Sequence, residues 1–294
     1  MMRFTTAVRL PILLALLAVP ADALGANTIR TSSVTGNLVV PSGSPSTIRL
    51  HCPPTAVALN GAVTRRGAGV AILGSSPGRD AHSWTFRAAA SGAGSRSVSA
   101  VLRCVRLEVP VGLSGVRLDV RTRISPSIAI APGDTATERL GCGRAWTATG
   151  YALSGGGDAV RLAGAVPGAH DWRFTLENTG SDTARVHVSA RCIRTSIAAR
   201  RARGRAAELR LRVTRRSFQR AYQAGPTRRA STGSCGGNRF SVAAGIQLDP
   251  ADPFELITAS PAGPGGARWT FQQVSPGDGF RAYMVCLARG SAFN

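Results

Sequence analysis

The sequence has no lysine, and few acidic residues balance its arginines. All 36 basic residues are arginine, against 15 Asp and Glu residues, which gives a formal net charge of +21. A GC-rich genome explains why arginine replaces lysine, but codon usage does not explain the excess of positive charge. Such an excess attracts acidic polymers, anionic membrane surfaces and nucleic acids, and salt screens the attraction.

Aromatic residues are also scarce, and long apolar runs are missing beyond the N-terminus. Aromatics make up 5% of the chain, whereas there are 34 Gly and 17 Pro residues. This balance is typical of short strands joined by frequent turns. No later apolar run approaches the roughly 20 residues that a membrane-spanning helix needs. We therefore expect a β-rich chain with no membrane span after signal cleavage.

The N-terminus has the three regions of a secretory signal peptide. Two arginines lie within the first nine residues, an apolar run extends from Leu10 to Val19, and Ala21-Asp22-Ala23 forms an A-x-A cleavage site. Ala26 is a second candidate cleavage position. The segment predicts that residues 1–23 are removed and that the mature protein is secreted, to the extracellular space or the cell surface.

The chain contains an even number of cysteines and no metal-binding arrangement of them. An even count in an exported chain favours disulfides. There is no C-x-x-C motif and no Cys/His cluster, so the sequence gives a zinc site no support. The cysteines are Cys52, Cys104, Cys142, Cys192, Cys235 and Cys286.

These cysteines belong to three copies of one repeat. They form pairs 52, 50 and 51 residues apart. Each first cysteine is followed by a proline after 25 or 26 residues, at Pro77, Pro167 and Pro261. Each second cysteine is preceded by a tryptophan at 17 to 20 residues, at Trp84, Trp172 and Trp269. A threonine before each first cysteine and a glycine after it also recur, at Thr31, Thr122 and Thr214 and at Gly61, Gly150 and Gly245.

Landmarks that keep their spacing three times predict a tandem repeat and select one disulfide pairing. We expect one bridge in each repeat: Cys52–Cys104, Cys142–Cys192 and Cys235–Cys286. In the chain-entropy model, closing a loop of about 50 residues contributes roughly 4 kcal/mol. Such a bridge compensates for the small core of a short domain.

The hydrophobic pattern within each repeat has a period of two. Residues 83–87 and 184–192 alternate between apolar and polar, and Gly, Pro, Ser and Asn fill the turns between such runs. We predict an all-β fold of three tandem small antiparallel β-sandwich domains of immunoglobulin-like architecture, with one disulfide each. The repeat tryptophans should face the core, and the second cysteine should lie on the strand that pairs with the tryptophan strand.

The predicted domain boundaries leave a strongly basic segment between the second and third repeats. Residues 191–229 contain 13 Arg and a single acid, Glu208. The sequence leaves open whether residues 198–211 form a short helix or are disordered. The predicted domains are repeat 1 at 27–110, repeat 2 at 116–197, an Arg-rich linker at 198–208 and repeat 3 at 209–294.

The repeat resembles a unit found in secreted proteins of high-GC Gram-positive (actinobacterial) bacteria. Its pattern, C-P-x-G…G-G-G…P…W…N…V-x-V-x-x-C, is matched here by Cys52-Pro53, by Gly155-Gly156-Gly157, and by Trp172 with Asn178 and Cys192. Repeats 2 and 3 have glycine in place of the proline after the first cysteine. The resemblance implies export and a β-rich fold, and it supplies no catalytic residues.

The sequence gives little support to catalysis. His82 and His170 share one repeat position, which Ala267 occupies in repeat 3, so we expect a framework role for both histidines. No G-x-S-x-G, P-loop, H-E-x-x-H or calcium-loop motif is present. The carboxylates are scattered, and a glycosidase pair assembled in space would need a larger cleft than repeats of this size offer. We expect no enzyme activity, no cofactor and no metal.

The arginine-rich junction is the candidate contact region. Arginine forks bind carboxylate, sulfate and phosphate groups, so the junction predicts contact with an acidic extracellular or envelope polymer. The alternative is a solvated linker whose arginines reflect codon usage. The lack of interleaved aromatic residues argues against nucleic acid. The candidate residues are Arg200, Arg201, Arg203, Arg205, Arg215 and Arg216.

Two functions follow from these features. The first is a secreted, non-enzymatic structural or adhesion-type protein that presents three disulfide-stapled domains. The second is an extracellular binding or inhibitor module that recognises a protein or glycan through repeat loops. Trp146 has no tryptophan counterpart in the other repeats, and it is either an exposed contact or a locally larger core residue.

Overall fold

The chain is all-β in a computed structural model. The structure describes residues 29–109, 113–201, 204, 206–220, 228–236, 239–248, 256–262, 268–273 and 280–289. The predicted signal peptide lies outside these residues. Across the described ranges there is no α-helix, and so no helix there is long and apolar enough to cross a membrane.

Repeat 1 contributes six strands that form two antiparallel three-stranded arrays. Strand β6 lies between β1 and β3 in one array, and β5 lies between β2 and β4 in the other. The strands are β1 (Ile29–Val40), β2 (Ser46–His51), β3 (Val57–Arg66), β4 (Val70–Pro77), β5 (Ser83–Ala90) and β6 (Arg96–Leu107).

Repeat 2 repeats this arrangement after a two-residue strand. Strand β14 lies between β8 and β11, and β13 lies between β10 and β12, while β9 also pairs with β14. The strands are β7 (Leu113–Ser114), β8 (Val120–Ile124), β9 (Ile128–Ile130), β10 (Thr135–Gly141), β11 (Trp146–Gly155), β12 (Val160–Pro167), β13 (Asp171–Asn178) and β14 (Ala184–Arg194).

Repeat 3 has the same two arrays. Strand β21 lies between β16 and β18, and β20 lies between β17 and β19. The strands are β15 (Ser196–Arg201), β16 (Ala206–Arg220), β17 (Arg228–Ser231), β18 (Phe240–Leu248), β19 (Leu256–Ala262), β20 (Arg268–Gln273) and β21 (Phe280–Arg289).

The sheets run from one repeat into the next. Strand β4 of repeat 1 pairs with β11 of repeat 2, and β12 of repeat 2 pairs with β18 of repeat 3. Strand β19 of repeat 3 lies against β3 of repeat 1, where Ala62 packs on the repeat 3 core. The three repeats therefore close into a ring. The predicted boundaries between them stay a prediction.

Each repeat has a tryptophan and a disulfide in its core. Trp84, Trp172 and Trp269 are 0%, 0% and 1% exposed, as their alternation predicts. The disulfides are Cys52–Cys104, Cys142–Cys192 and Cys235–Cys286, with Cα–Cα distances of 5.7, 5.8 and 5.8 Å.

The strand that carries the second cysteine is a correction to the sequence analysis. Cys104 lies on β6, which pairs with β1 and β3, whereas Trp84 lies on β5, which pairs with β2 and β4. The expected pairing of these two strands is therefore wrong. The disulfide instead joins the two arrays across the core, because Cys52 directly follows β2.

The basic segment between repeats 2 and 3 forms a β-hairpin. Strand β15 pairs with the first part of β16, with Ser196 opposite Arg210 and Arg200 opposite Ala206. Ile197 and Leu209 are buried on its inner face. Alternation of apolar residues along both strands explains why this segment is a packed hairpin and not a short helix or a solvated linker.

Candidate functional site

The outer face of the β15–β16 hairpin carries exposed arginines. Arg200 near the end of β15 lies on this face, as do Arg210 and Arg212, which alternate with the buried leucines of β16. Arg201, the last residue of β15, instead follows the phase of the inner face and is exposed at its end. All four side chains are exposed. The candidates Arg203 and Arg205, between the two strands, lie outside the described residues.

One acidic residue partly neutralises the positive charge of this face. Glu208 accepts a hydrogen bond from Arg210, with 2.9 Å between Nε and Oε1. The bonds from Arg210 and Ser196 lower the pKa of Glu208 despite some desolvation. Among the described residues, Arg200, Arg201 and Arg212 have no ion-pair partner. The hairpin therefore presents exposed positive charge that a single acid compensates only in part, and we call these residues the hairpin surface (Arg200, Arg201, Arg210 and Arg212).

The two remaining candidates are not part of the hairpin surface. Arg215 is half-buried, and its Nη2 donates to the carbonyl oxygen of Ala169 in repeat 2 at 2.6 Å. Burial lowers the pKa of Arg215, although the charge of Asp171 opposes that effect. Arg216 is exposed, and its Nη1 donates to the carbonyl oxygen of Ser234 at 2.7 Å. Both side chains hold parts of the fold together.

Two buried arginines outside the basic segment's candidate residues also join the repeats. Arg103 is 2% exposed, and its Nε donates to the carbonyl oxygen of Ser241 in repeat 3 at 3.1 Å. Arg191 is 1% exposed, and it donates to the carbonyl oxygens of Gly78 and Ser83 in repeat 1, both at 3.4 Å. Burial lowers the pKa of each arginine to about 10.

These arginines occupy related positions in the ring. Arg103 and Arg191 each directly precede the second cysteine of their repeat. In repeat 3 that position is Val285, and Arg215 lies opposite it on β16. In each repeat, one arginine thus donates a hydrogen bond to the repeat before it in the ring, and repeat 3 takes that place for repeat 1. An arginine directly before the second cysteine in two of three repeats was the available sequence signal.

A second group of arginines surrounds Trp146 in repeat 2. The guanidinium carbons of Arg121 and Arg194 lie 4.3 and 5.4 Å from the centroid of the Trp146 ring. Arg121 also donates from Nη2 to the carbonyl oxygen of Cys142. Desolvation, and then the nearby charges of Arg123 and Arg194, lower the pKa of Arg121. The ring of Trp146 is half-buried beneath these cations.

The two repeat histidines bind equivalent backbone carbonyls. Nδ1 of His82 donates to the oxygen of Ala56 at 2.6 Å, and Nδ1 of His170 donates to the oxygen of Trp146 at 2.7 Å. These bonds agree with a framework role. They also show that Ala56 is the repeat 1 counterpart of Trp146.

A groove of about 670 Å³ lies between repeats 1 and 2. Strands β4 and β12 line it, together with the glycine-rich turn at Gly155 and Gly157 and the side chains of Arg66 and Asp158. Within the described part of the chain, no group of three or more His, Cys, Asp or Glu residues is placed to hold a metal ion.

No protein-family model matches this chain, and no curated protein matches it. The resemblance to actinobacterial secreted repeats therefore rests on the sequence motifs alone. The geometry of the arginines is the basis on which a function can be proposed.

Proposed function

We propose that the protein is a secreted, non-enzymatic structural or adhesion-type protein that contacts acidic envelope polymer through the hairpin surface. Its three repeats would act as three disulfide-stapled, immunoglobulin-like β-sandwich domains. The observation that carries this proposal is the exposed positive charge of Arg200, Arg201 and Arg212, which has no ion-pair partner among the described residues.

Exposure distinguishes the hairpin surface from the arginines that are buried between repeats. Arg103, Arg191 and Arg215 donate to carbonyl oxygens of a neighbouring repeat, so their charge is used within the protein. The hairpin arginines project from a packed element, because Ile197 and Leu209 hold its inner face. Arginines on a packed hairpin need no ordering of the backbone when they bind a polyanion, whereas those of a disordered linker would.

The covalent structure supports an extracellular location. Disulfides persist in oxidising compartments, and three disulfides in an all-β chain are typical of extracellular proteins. The signal-peptide pattern at residues 1–23 supports the same compartment.

A charge-matched comparison of variants tests the proposal. The variant Arg200→Gln/Arg201→Gln/Arg212→Gln removes the uncompensated charge of the hairpin surface. The control Arg87→Gln/Arg173→Gln/Arg185→Gln removes the same charge from exposed strand positions elsewhere. Binding to an acidic polysaccharide, measured at low salt by surface plasmon resonance, should weaken in the hairpin variant and change much less in the control. Equal loss in both variants would show that only net charge matters.

The groove between repeats 1 and 2 favours a second candidate function, an extracellular binding or inhibitor module. Its volume of about 670 Å³ is within the usual range of ligand pockets, roughly 300–1,000 Å³. Loops and strand edges of two repeats line it. Binding of a neutral glycan or a protein that Asp158→Ala abolishes, and that salt does not affect, would favour this candidate.

A further inference from the structure

Two guanidinium groups converge on one face of the sheet in repeat 2. Trp146 on β11 lies directly opposite Arg194 on β14, and Arg121 on β8 lies opposite Cys192. Directly opposite residues share a face of an antiparallel sheet, as do residues two apart on one strand. Arg121, Arg194 and Trp146 therefore lie on the same face, next to the disulfide.

The charges in this group repel one another and are not neutralised. Among the described residues, no acidic side chain forms an ion pair with Arg121, Arg123 or Arg194. The lowered pKa of Arg121 reflects desolvation and the two neighbouring guanidiniums. A bound anion would remove this repulsion, so the site favours a negative ligand.

The indole ring and a backbone carbonyl hold the arginines in place. A cation–π contact uses the flat face of a guanidinium, whereas its hydrogen bonds lie in the guanidinium plane. The N–H groups of Arg194 therefore remain able to donate, as do those of Arg121 that are neither bonded to the oxygen of Cys142 nor buried, as its Nε is. Two guanidinium groups beside one indole ring can both donate to the oxygens of one oxyanion.

We propose that Arg121 and Arg194, positioned by Trp146, form a discrete binding site for one oxyanion group: a phosphate, sulfate or carboxylate. This site is separate from the hairpin surface, and the inference does not depend on the proposed function. The group can be a free anion or a substituent of a larger molecule.

The other repeats lack this combination. In repeat 1, Ser32 lies opposite the second cysteine, and Ala56 takes the place of Trp146. Arg106, two residues after that cysteine as Arg194 is in repeat 2, is paired with Glu108 at 3.3 Å. In repeat 3, Thr214 lies opposite the second cysteine. We therefore expect one such site in each chain.

Isothermal titration calorimetry of the full protein with inorganic phosphate tests the proposal. We expect saturable binding with one site per chain and a dissociation constant in the millimolar range. Arg194→Gln should weaken binding about tenfold or more, since it removes charge-assisted hydrogen bonds to the anion. Arg106→Gln, the matched position in repeat 1, should leave the affinity unchanged.

The variant Trp146→Phe gives an independent test of the site by tryptophan fluorescence. Phosphate should change the tryptophan emission of the wild-type protein but not that of Trp146→Phe, because the other three tryptophans are buried. Titrations with sulfate and acetate rank the affinities of the site for the three oxyanions. A comparison of a phosphate-bearing polymer with free phosphate shows whether the site binds a free anion or a substituent of a larger molecule. Absence of saturable binding to all three anions would overturn the proposal, as would equal effects of Arg194→Gln and Arg106→Gln.

The hairpin variant separates this site from the proposed function. Arg200→Gln/Arg201→Gln/Arg212→Gln should bind inorganic phosphate as tightly as the wild type. If it keeps phosphate binding while the wild type fails to bind acidic polysaccharide, the oxyanion site stands and the proposed function fails. If it loses phosphate binding, the assignment of the site to Arg121 and Arg194 is wrong.

Discussion

Arginine has two different environments in this chain, and only the structure distinguishes them. Arg103 and Arg191 are buried and bind the carbonyl oxygens of neighbouring repeats, whereas Arg200 and Arg201 are exposed on the hairpin. Net charge and composition count all four equally. The basic segment predicts that Arg215 contacts polymer, but its guanidinium faces repeat 2. Contact between repeats decides its role, and no local pattern encodes that contact.

The buried arginines yield a prediction about stability. Arg191→Met removes the hydrogen bonds that Arg191 donates to Thr122 and to the carbonyl oxygens of Gly78 and Ser83 in repeat 1. We expect the free energy of unfolding to fall by about 1–3 kcal/mol, measured by guanidinium denaturation. Arg185→Met, at an exposed position on the same strand, should change it by about 0.5 kcal/mol or less. Equal effects would mean that Arg191 does not join the repeats.

At the scale of the element, some repeat landmarks are structural equivalents and others are not. Each repeat proline lies directly opposite its tryptophan, as Pro77 lies opposite Trp84. The register of the repeat threonines differs. Thr214 lies opposite the second cysteine of its repeat, whereas Thr31 lies opposite the residue after that cysteine and Thr122 opposite the residue before it. A small offset in strand pairing is invisible to residue spacing, whereas burial of tryptophan fixes its register.

The hairpin shows the same limit. Ile197 and Leu209 alternate with exposed residues, which is a strand pattern, but the density of arginine made the segment resemble a linker. The arginine-rich composition therefore predicted a linker, although the apolar periodicity indicated strands. The disulfide pairing and the tryptophan core were predictable because they repeat three times, whereas the hairpin occurs once.

A close approach between strands of two repeats makes Gly150 a sensitive position. A Cβ atom there would lie 1.8 Å from the carbonyl oxygen of Leu59 in repeat 1. Gly150→Ala should therefore force the repeats apart and lower the free energy of unfolding by about 1–3 kcal/mol. Gly141→Ala is the control, since a Cβ atom there meets nothing within 4 Å. Thermal denaturation of both variants that gives the same midpoint would contradict the described packing.

At the scale of the whole molecule, the ring makes the repeats depend on one another. Strand pairing joins repeats 1 and 2 and repeats 2 and 3, and β19 lies against β3 to complete the ring. These contacts cover strands that would otherwise be open sheet edges. Few backbone pairs make each junction, so the sequence, which predicted tandem domains, carried no signal for closure.

The ring predicts cooperative unfolding. Calorimetry should show one transition for the three repeats, with equal calorimetric and van't Hoff enthalpies, because loss of one repeat exposes edges of both others. Arg103→Met, at the junction of repeats 1 and 3, should shift the whole transition to lower temperature. Separate transitions, one of them unaffected by this substitution, would show that the repeats unfold independently.

The most direct test of the central claim is the salt dependence of wild-type binding to an acidic and a neutral polysaccharide of similar length. If the hairpin surface binds polyanions, the logarithm of the affinity for the acidic polymer falls linearly with the logarithm of salt concentration, as ions are released. The neutral polymer should bind negligibly at every salt concentration. Equal affinity for both polymers, or an affinity that salt does not change, would contradict the account.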